Sequence, residues 1–246
     1  MQKKKNLTEN HSSAWEENLK KEQQKQNIKK YGIWAAVVAA FLVGLILLIK
    51  LAGSGGLSTG ATPGVENANL PKVNSKDIFM QGKDEKVTLI EYGDLQCPAC
   101  AQYNPIVNQA MHDYKGKVRF IFRFFPLTSV HKNAIISGQA AYAGWKLGKF
   151  NEMKDILFDE QASWENLDDP RDTFIGMARK IGLDETKFKE IMNSSEAKNR
   201  ILDGEKESLG IGLNSTPSFF VGNMYVGPRS YDDFKKYLDD ALANAK

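Results

Sequence analysis

The residues best suited to chemistry are the chain's only two cysteines, Cys97 and Cys100, in the run Cys97-Pro98-Ala99-Cys100. Two thiols three residues apart lie about one helical turn from each other, so they can close into a disulfide or open into a dithiol. The pair follows an apolar β-branched run and precedes an amphipathic stretch, which puts Cys97 at a strand-to-helix junction. There the unpaired N–H groups and the positive end of the helix dipole favour an anion and lower the pKa of the first thiol. Pro98 fits the first helical position, where no N–H is needed. On this basis Cys97 is the exposed attacking sulfur and Cys100 the resolving one.

Three other uses of the pair compete. A structural disulfide over so short a loop removes little entropy from the unfolded chain. A zinc site needs two further ligands, and beyond the N-terminal tail the only histidines are His112 and His131. Two inert buried thiols form the third alternative. The context of strand, cysteine pair and helix favours redox chemistry over all three.

The elements that must position the pair follow from periodicity. Lys86 to Tyr92 is a buried strand by composition. Tyr103, Ile106, Val107, Ala110, Met111 and Tyr114 form one helical stripe, and Val118 to Phe125 predicts a second strand ending at Pro126. Helical patterns follow around Ala134 to Trp145, Phe150 to Phe158, Phe174 to Ile181 and Phe188 to Met192. Strands return at Pro217–Val221 and Met224–Val226, across a Gly222-Asn223 hairpin signal, and Phe234, Tyr237, Leu238 and Ala241 mark a last helix. The predicted order is β-α-β, a helical block, then β-β-α.

Composition narrows the class further. Two cysteines exclude four-cysteine zinc sites, iron-sulfur cages and disulfide-dense scaffolds. The net charge of +3 is uneven: residues 1–30 carry eight Lys and four Glu, whereas residues 51–246 carry 24 basic and 26 acidic residues. The large part is mildly acidic and has no electrostatic footprint for nucleic acid. Tyr31 to Ile49 holds no charge in 19 positions, about the length that spans bilayer hydrocarbon as a helix. A cleavable signal peptide would have a shorter core and a shorter preceding region. Lysines concentrated before the span predict a cytoplasmic N-terminus and an extracytoplasmic remainder, where thiols can be oxidised. The Gly, Ser, Thr and Asn-rich stretch that follows is a flexible tether.

Four stretches in order carry a family likeness: EYGDLQCPAC (Glu91 to Cys100), FFPLTSVHKNA (Phe124 to Ala134), AAYAGWKLGKFNEMKDILF (Ala140 to Phe158) and STPSFFVGN (Ser215 to Asn223). With the predicted element order, the chain from about Asp77 to Ala243 resembles the DsbA-like branch of the thioredoxin superfamily, as a membrane-anchored member. The resemblance implies an α/β, thioredoxin-like fold with an inserted helical domain, preceded by one transmembrane helix. The expected organisation is a cytoplasmic tail at 1–30, an anchor at 31–51, a linker at 52–76 and a DsbA-like domain at 77–246, its helical insert at about 128–212.

The resemblance also implies roles. Cys97 matches the nucleophile and Cys100 the resolving cysteine. Thr216-Pro217 matches a loop whose proline is cis and lies opposite the disulfide, with the preceding backbone able to bridge to an extended substrate. By pattern alone, a proline opening a strand needs only trans geometry. Glu91 matches a buried acid that relays a proton to or from the resolving thiol. Its period-2 phase groups it with Val87 and Leu89, which is compatible with burial or with a strand-end carboxylate in water. Phe219, Phe220 and Trp145 are expected in the core, and His131 is assigned no chemistry beyond beginning the first insert helix. One departure is Ala99, where the best-known oxidases of the family carry a histidine that stabilises the thiolate.

The expected function is a membrane-tethered, extracytoplasmic thiol-disulfide oxidoreductase that donates disulfides to unfolded exported proteins. A membrane quinone-linked partner, DsbB-like or vitamin K epoxide reductase-like, would reoxidise it, with no metal or organic cofactor. The alternatives are a reductase running the same exchange backwards and a noncatalytic thioredoxin-like binding or assembly module.

Overall fold

The computed structural model describes residues 66–67, 69–70, 72–228 and 230–245. The predicted tail and anchor and most of the predicted linker lie outside them. Among the described residues no helix is long and apolar enough to cross a membrane.

The chain runs β1 (Ile78–Gln81), β2 (Val87–Gly93), α1 (Pro98–Asp113), β3 (Val118–Phe124), then α2 (Ala134–Lys146), α3 (Phe150–Asp159), α4 (Gln161–Trp164), α5 (Arg171–Lys180), α6 (Glu185–Met192) and α7 (Ser195–Gly210). It closes with β4 (Ser218–Val221), β5 (Met224–Val226) and α8 (Tyr231–Asn244). The five strands form one sheet in the order β1-β3-β2-β4-β5. Only β2 and β3 are parallel, joined by α1 as a crossover.

Both central strands are covered on both faces, which is why they read as near-continuous apolar runs. Val118, Phe120, Phe122 and Phe124 of β3 point into the larger core with Val87 and Leu89 of β2, α1, α8 and the inserted helices. Ile121 and Ile90 point the other way, into a smaller cluster closed by Leu213, Phe220, Leu70 and Val73. Arg123 is buried on that second face, where a lone charge would be costly. It is paired: Nε donates to Asp77 at 2.7 Å and Nη1 to the Tyr92 hydroxyl at 2.8 Å. The Tyr92 hydroxyl in turn donates to Glu207 at 2.8 Å, fastening α7 to the sheet.

Three elements depart from the sequence expectation, one of them α4, a single turn of four residues. β1 was not anticipated, because four residues are too few to show a period, and it exists by pairing antiparallel to β3. Nor was α7, whose buried face is Ala197, Ile201, Gly204 and Ser208. Small and hydroxylated residues hide the stripe from a hydrophobic pattern, and the packing needs them small. A Cβ at Gly204 would stand 2.4 Å from the Phe124 carbonyl oxygen. The β4–β5 hairpin turns at Gly222, with φ of 63°, a conformation that glycine adopts without steric penalty. α8 starts on a capping box of Ser230 and Asp233 and buries Phe234 and Leu238, the Phe234 ring 4.9 Å from that of Phe219.

Candidate active site

Cys97 is the N-cap of α1, in extended conformation, and Pro98 opens the helix. Both cysteines are free thiols. Cys100 is fully buried, and Cys97 is 6% exposed. That corrects the expectation of an exposed attacking sulfur. The loop before β4 covers Cys97: its Sγ donates to the Thr216 carbonyl oxygen at 3.5 Å. The Thr216–Pro217 bond is cis.

The two thiols are driven apart in acidity. A hydrogen bond from Cys100 draws the Cys97 thiol down to about 6, against the cost of its burial, and the Thr216 side chain and the backbone N–H groups of Cys100 and Ala99 pull the same way. The Thr216 hydroxyl is buried and has no hydrogen-bond partner of ordinary geometry among the described residues. Burial pushes Cys100 well above an ordinary thiol, as do its hydrogen bond to Cys97 and the charges of Cys97 and Glu91.

Glu91 is 2% exposed and lies on the face of β2 that carries Val87 and Leu89, under α1. The structure thereby chooses between the two alternatives that the pattern left open. Desolvation raises its carboxyl to about 7, opposed by the charge of Lys154 and helped by Asp155 and Cys97. Lys154, on α3, is fully buried. Its ammonium donates to Asn104, to Asn108 at 3.2 Å, and lies 3.1 Å from Asp155. Asn104 stands four residues after Cys100 on α1, so this polar cluster lies beneath the cysteine helix.

Four members of this site were missed at the level of sequence: Lys154, Asn104, Asp94 and His131. Lys154 and Asn104 look like ordinary polar positions of amphipathic helices, and nothing in their spacing marks burial. His131 does not begin α2, which starts at Ala134; it sits in the preceding loop, with Nδ1 2.7 Å from buried Asp94. Asp94 and His131 both fall inside the stretches EYGDLQCPAC and FFPLTSVHKNA, but only the fold joins them. Phe219 and Phe220 are core residues, whereas Trp145 is partly buried and lines an open polar cleft with Asp77, Tyr142 and Arg200. That cleft takes none of its lining from the residues around the cysteines. Among the described residues no group of three or more histidine, cysteine, aspartate or glutamate side chains is placed to hold a metal.

A family model described as Thioredoxin matches residues 74–240. Part of Na(+)/H(+) antiporter NhaA 3 from Salinispora tropica is 30% identical over 188 residues, which is 76% of this chain and 28% of that protein. The chain thus spans about a third or less of the curated relatives it matches. Among solved structures, oxidised BdbD from Bacillus subtilis superposes with a TM-score of 0.63 at 19% identity, over 75% of this chain and all of that one. The thiol-disulfide exchange protein alpha-DsbA2 from Wolbachia pipientis gives 0.59 at 19% identity, over 68% of this chain and 88% of its own. At these identities the likeness to the two structures is one of fold.

Proposed function

The chain belongs to the thioredoxin family, and on that premise we propose that it is a thiol-disulfide oxidoreductase acting through Cys97 and Cys100. One observation carries the proposal: two free thiols lie one turn apart at the start of α1, Cys97 as its N-cap against the Thr216 carbonyl and Cys100 in the core, an arrangement that draws the first thiol down and pushes the second up. The name of the Wolbachia relative by fold, a thiol-disulfide exchange protein, points the same way.

In the donating direction, a substrate thiolate attacks Sγ of Cys97 in the Cys97–Cys100 disulfide. A substrate–Cys97 bond forms, the Cys97–Cys100 bond breaks, and Cys100 leaves as a thiolate. Buried and of high proton affinity, Cys100 takes up a proton, for which Glu91 at about 7 is the suited donor. A second substrate thiolate then attacks the substrate sulfur, and Cys97 leaves as a stabilised thiolate. Two substrate thiols are oxidised by two electrons and the protein is left as the dithiol. Thr216 and Pro217 form the wall beside the mixed disulfide, where the Thr216 backbone can receive an extended chain.

The clients are unfolded exported thiol proteins, and the exchange domain is held outside a cell membrane by the anchor expected at 31–51. A membrane quinone-linked partner, DsbB-like or vitamin K epoxide reductase-like, restores the disulfide. Oxidation of reduced RNase and reduction of insulin by the full chain in detergent, with Cys97→Ala as control, test the proposal. RNase oxidation supports the donor, insulin reduction alone reverses the direction, and turnover in neither assay favours a noncatalytic binding module.

A further inference from the structure

Two titratable side chains have no part in that exchange and are paired at the turn that leads into Cys97: Asp94 and His131. The Asp94 side chain is fully buried and that of His131 is 18% exposed. The Asp94 carboxylate lies 2.7 Å from His131 Nδ1 and also accepts the N–H groups of Gln96 at 2.8 Å and Leu127 at 2.9 Å. The main-chain carbonyl of the same residue accepts the Cys97 N–H at 3.1 Å. One buried residue therefore holds the imidazole with its side chain and the cysteine with its backbone. The loop bearing His131 is fixed at both ends. His131 N–H bonds to Leu127 O at 2.9 Å, and the Asn133 N–H bonds to the Gln96 side chain at 2.6 Å. An imidazole held at Nδ1 by a carboxylate has one tautomer and a favoured protonated form.

The leading influences on the imidazole are these. The hydrogen bond to Asp94 raises the His131 pKa first, partial burial opposes it, and the charges of Asp94, Cys97 and Glu165 raise it further. The neighbouring Lys132 ammonium is engaged with the Asn166 carbonyl and Asp168. The coupling of His131 to Cys97 is reciprocal: if a thiolate favours the imidazolium, the imidazolium favours the thiolate by the same free energy. Between the cysteines stand only Pro98 and Ala99, and neither carries charge.

We propose that His131, oriented by buried Asp94, is the positive charge that stabilises the Cys97 thiolate, supplied from the β3–α2 loop rather than from within the cysteine pair. This inference rests on the exchange reaction for its use, but not for its test. His131 is a positioning residue: it acts through Cys97 and forms no bond with substrate.

The test is the pH dependence of Cys97 alkylation by iodoacetamide in the reduced full chain. At pH 5, His131→Gln should slow alkylation about three- to tenfold, the effect of raising a thiol midpoint by roughly half to one pH unit. His131→Lys, which keeps the charge, should stay within about twofold of the unsubstituted protein. Equal slowing in both variants would assign His131 a structural role, and no slowing in His131→Gln would dismiss it; either overturns the proposal. A second measurement needs no change at His131. The imidazole titration followed by NMR should move to lower pH in Cys97→Ser, and an unmoved titration also overturns the proposal. Alkylation reads the thiolate alone, so absent RNase and insulin turnover with a normal His131 effect would reject the exchange reaction and leave this inference standing.

Discussion

Cys97 and Thr216 are 119 residues apart in the chain, yet the cysteine sulfur and the threonine carbonyl oxygen are 3.5 Å apart. The contact joins the first turn of α1 to the loop that enters β4, on either side of the entire helical insert. As a donor to a carbonyl the thiol is favoured there in its neutral form, so the acidity of a thiol with 6% exposure has other sources: the hydrogen bonds from Cys100, the Thr216 side chain and the Cys100 and Ala99 N–H groups. Burial alone would raise its pKa, and the donors gathered at this junction more than offset that cost.

Iodoacetamide should discriminate between the cysteines. In the reduced protein Cys97 should be alkylated with a midpoint near 6, while Cys100 stays unmodified through neutral pH. Peptide mapping after a short pulse reads this directly. Preferential labelling of Cys100 would reverse the two roles.

Thr216→Val removes the hydroxyl that pulls the Cys97 thiol down and keeps the branched shape. Alkylation of Cys97 at pH 5 should slow about three- to tenfold, as for a thiol made less acidic by half to one unit. An unchanged rate would confine the acidity to the helix N-terminus and Cys100.

Glu91 ties stability to pH. Its folded-state pKa of about 7 lies above the ordinary 4.5, so its proton is held more tightly when folded. Below pH 4.5 both states carry the proton and the site costs nothing. As pH rises through 7 the folded state must ionise a buried carboxyl, a loss on the order of 3 kcal/mol. Glu91→Gln should therefore gain stability relative to the unsubstituted protein between pH 4 and pH 8. Urea unfolding of the reduced proteins at the two pH values measures it, and a pH-independent difference would contradict the burial of a titrating carboxyl.

Two glycines in helices should respond oppositely to alanine. Gly204→Ala sets a Cβ 2.4 Å from the Phe124 carbonyl oxygen and should destabilise by about 1–3 kcal/mol as α7 is forced off β3. Gly176→Ala, in α5, meets nothing within 4 Å and should stabilise by up to about 1 kcal/mol through helix propensity. Equal thermal shifts in the two variants would refute the close approach of α7.

Local chemistry was legible without coordinates. The apolar runs that become β2 and β3 are continuous because both faces are covered, and the stripe from Tyr103 to Tyr114 repeats at helical spacing because one face of α1 is buried. The position of Cys97 before that stripe was enough to infer an acidic thiol, since the dipole and free N–H groups belong to any helix start. Elements that owe their form to neighbours were not legible. β1 is a strand because β3 lies beside it, and α7 buries Gly204 and Ser208 because backbone comes close there.

The sequence by itself determined which atoms can exchange electrons: two thiols at a helix start, spaced to close on each other. What surrounds those thiols was decided by tertiary structure alone, because burial and long-range charge are properties of assembled elements. Glu91 fitted either face of a strand until α1 covered it. Lys154 was an ordinary helix lysine until Asn104, Asn108 and Asp155 enclosed it. Asp94 and His131 were separate polar residues until the folded sheet set their loops side by side, 37 residues apart and 2.7 Å between ring nitrogen and carboxylate.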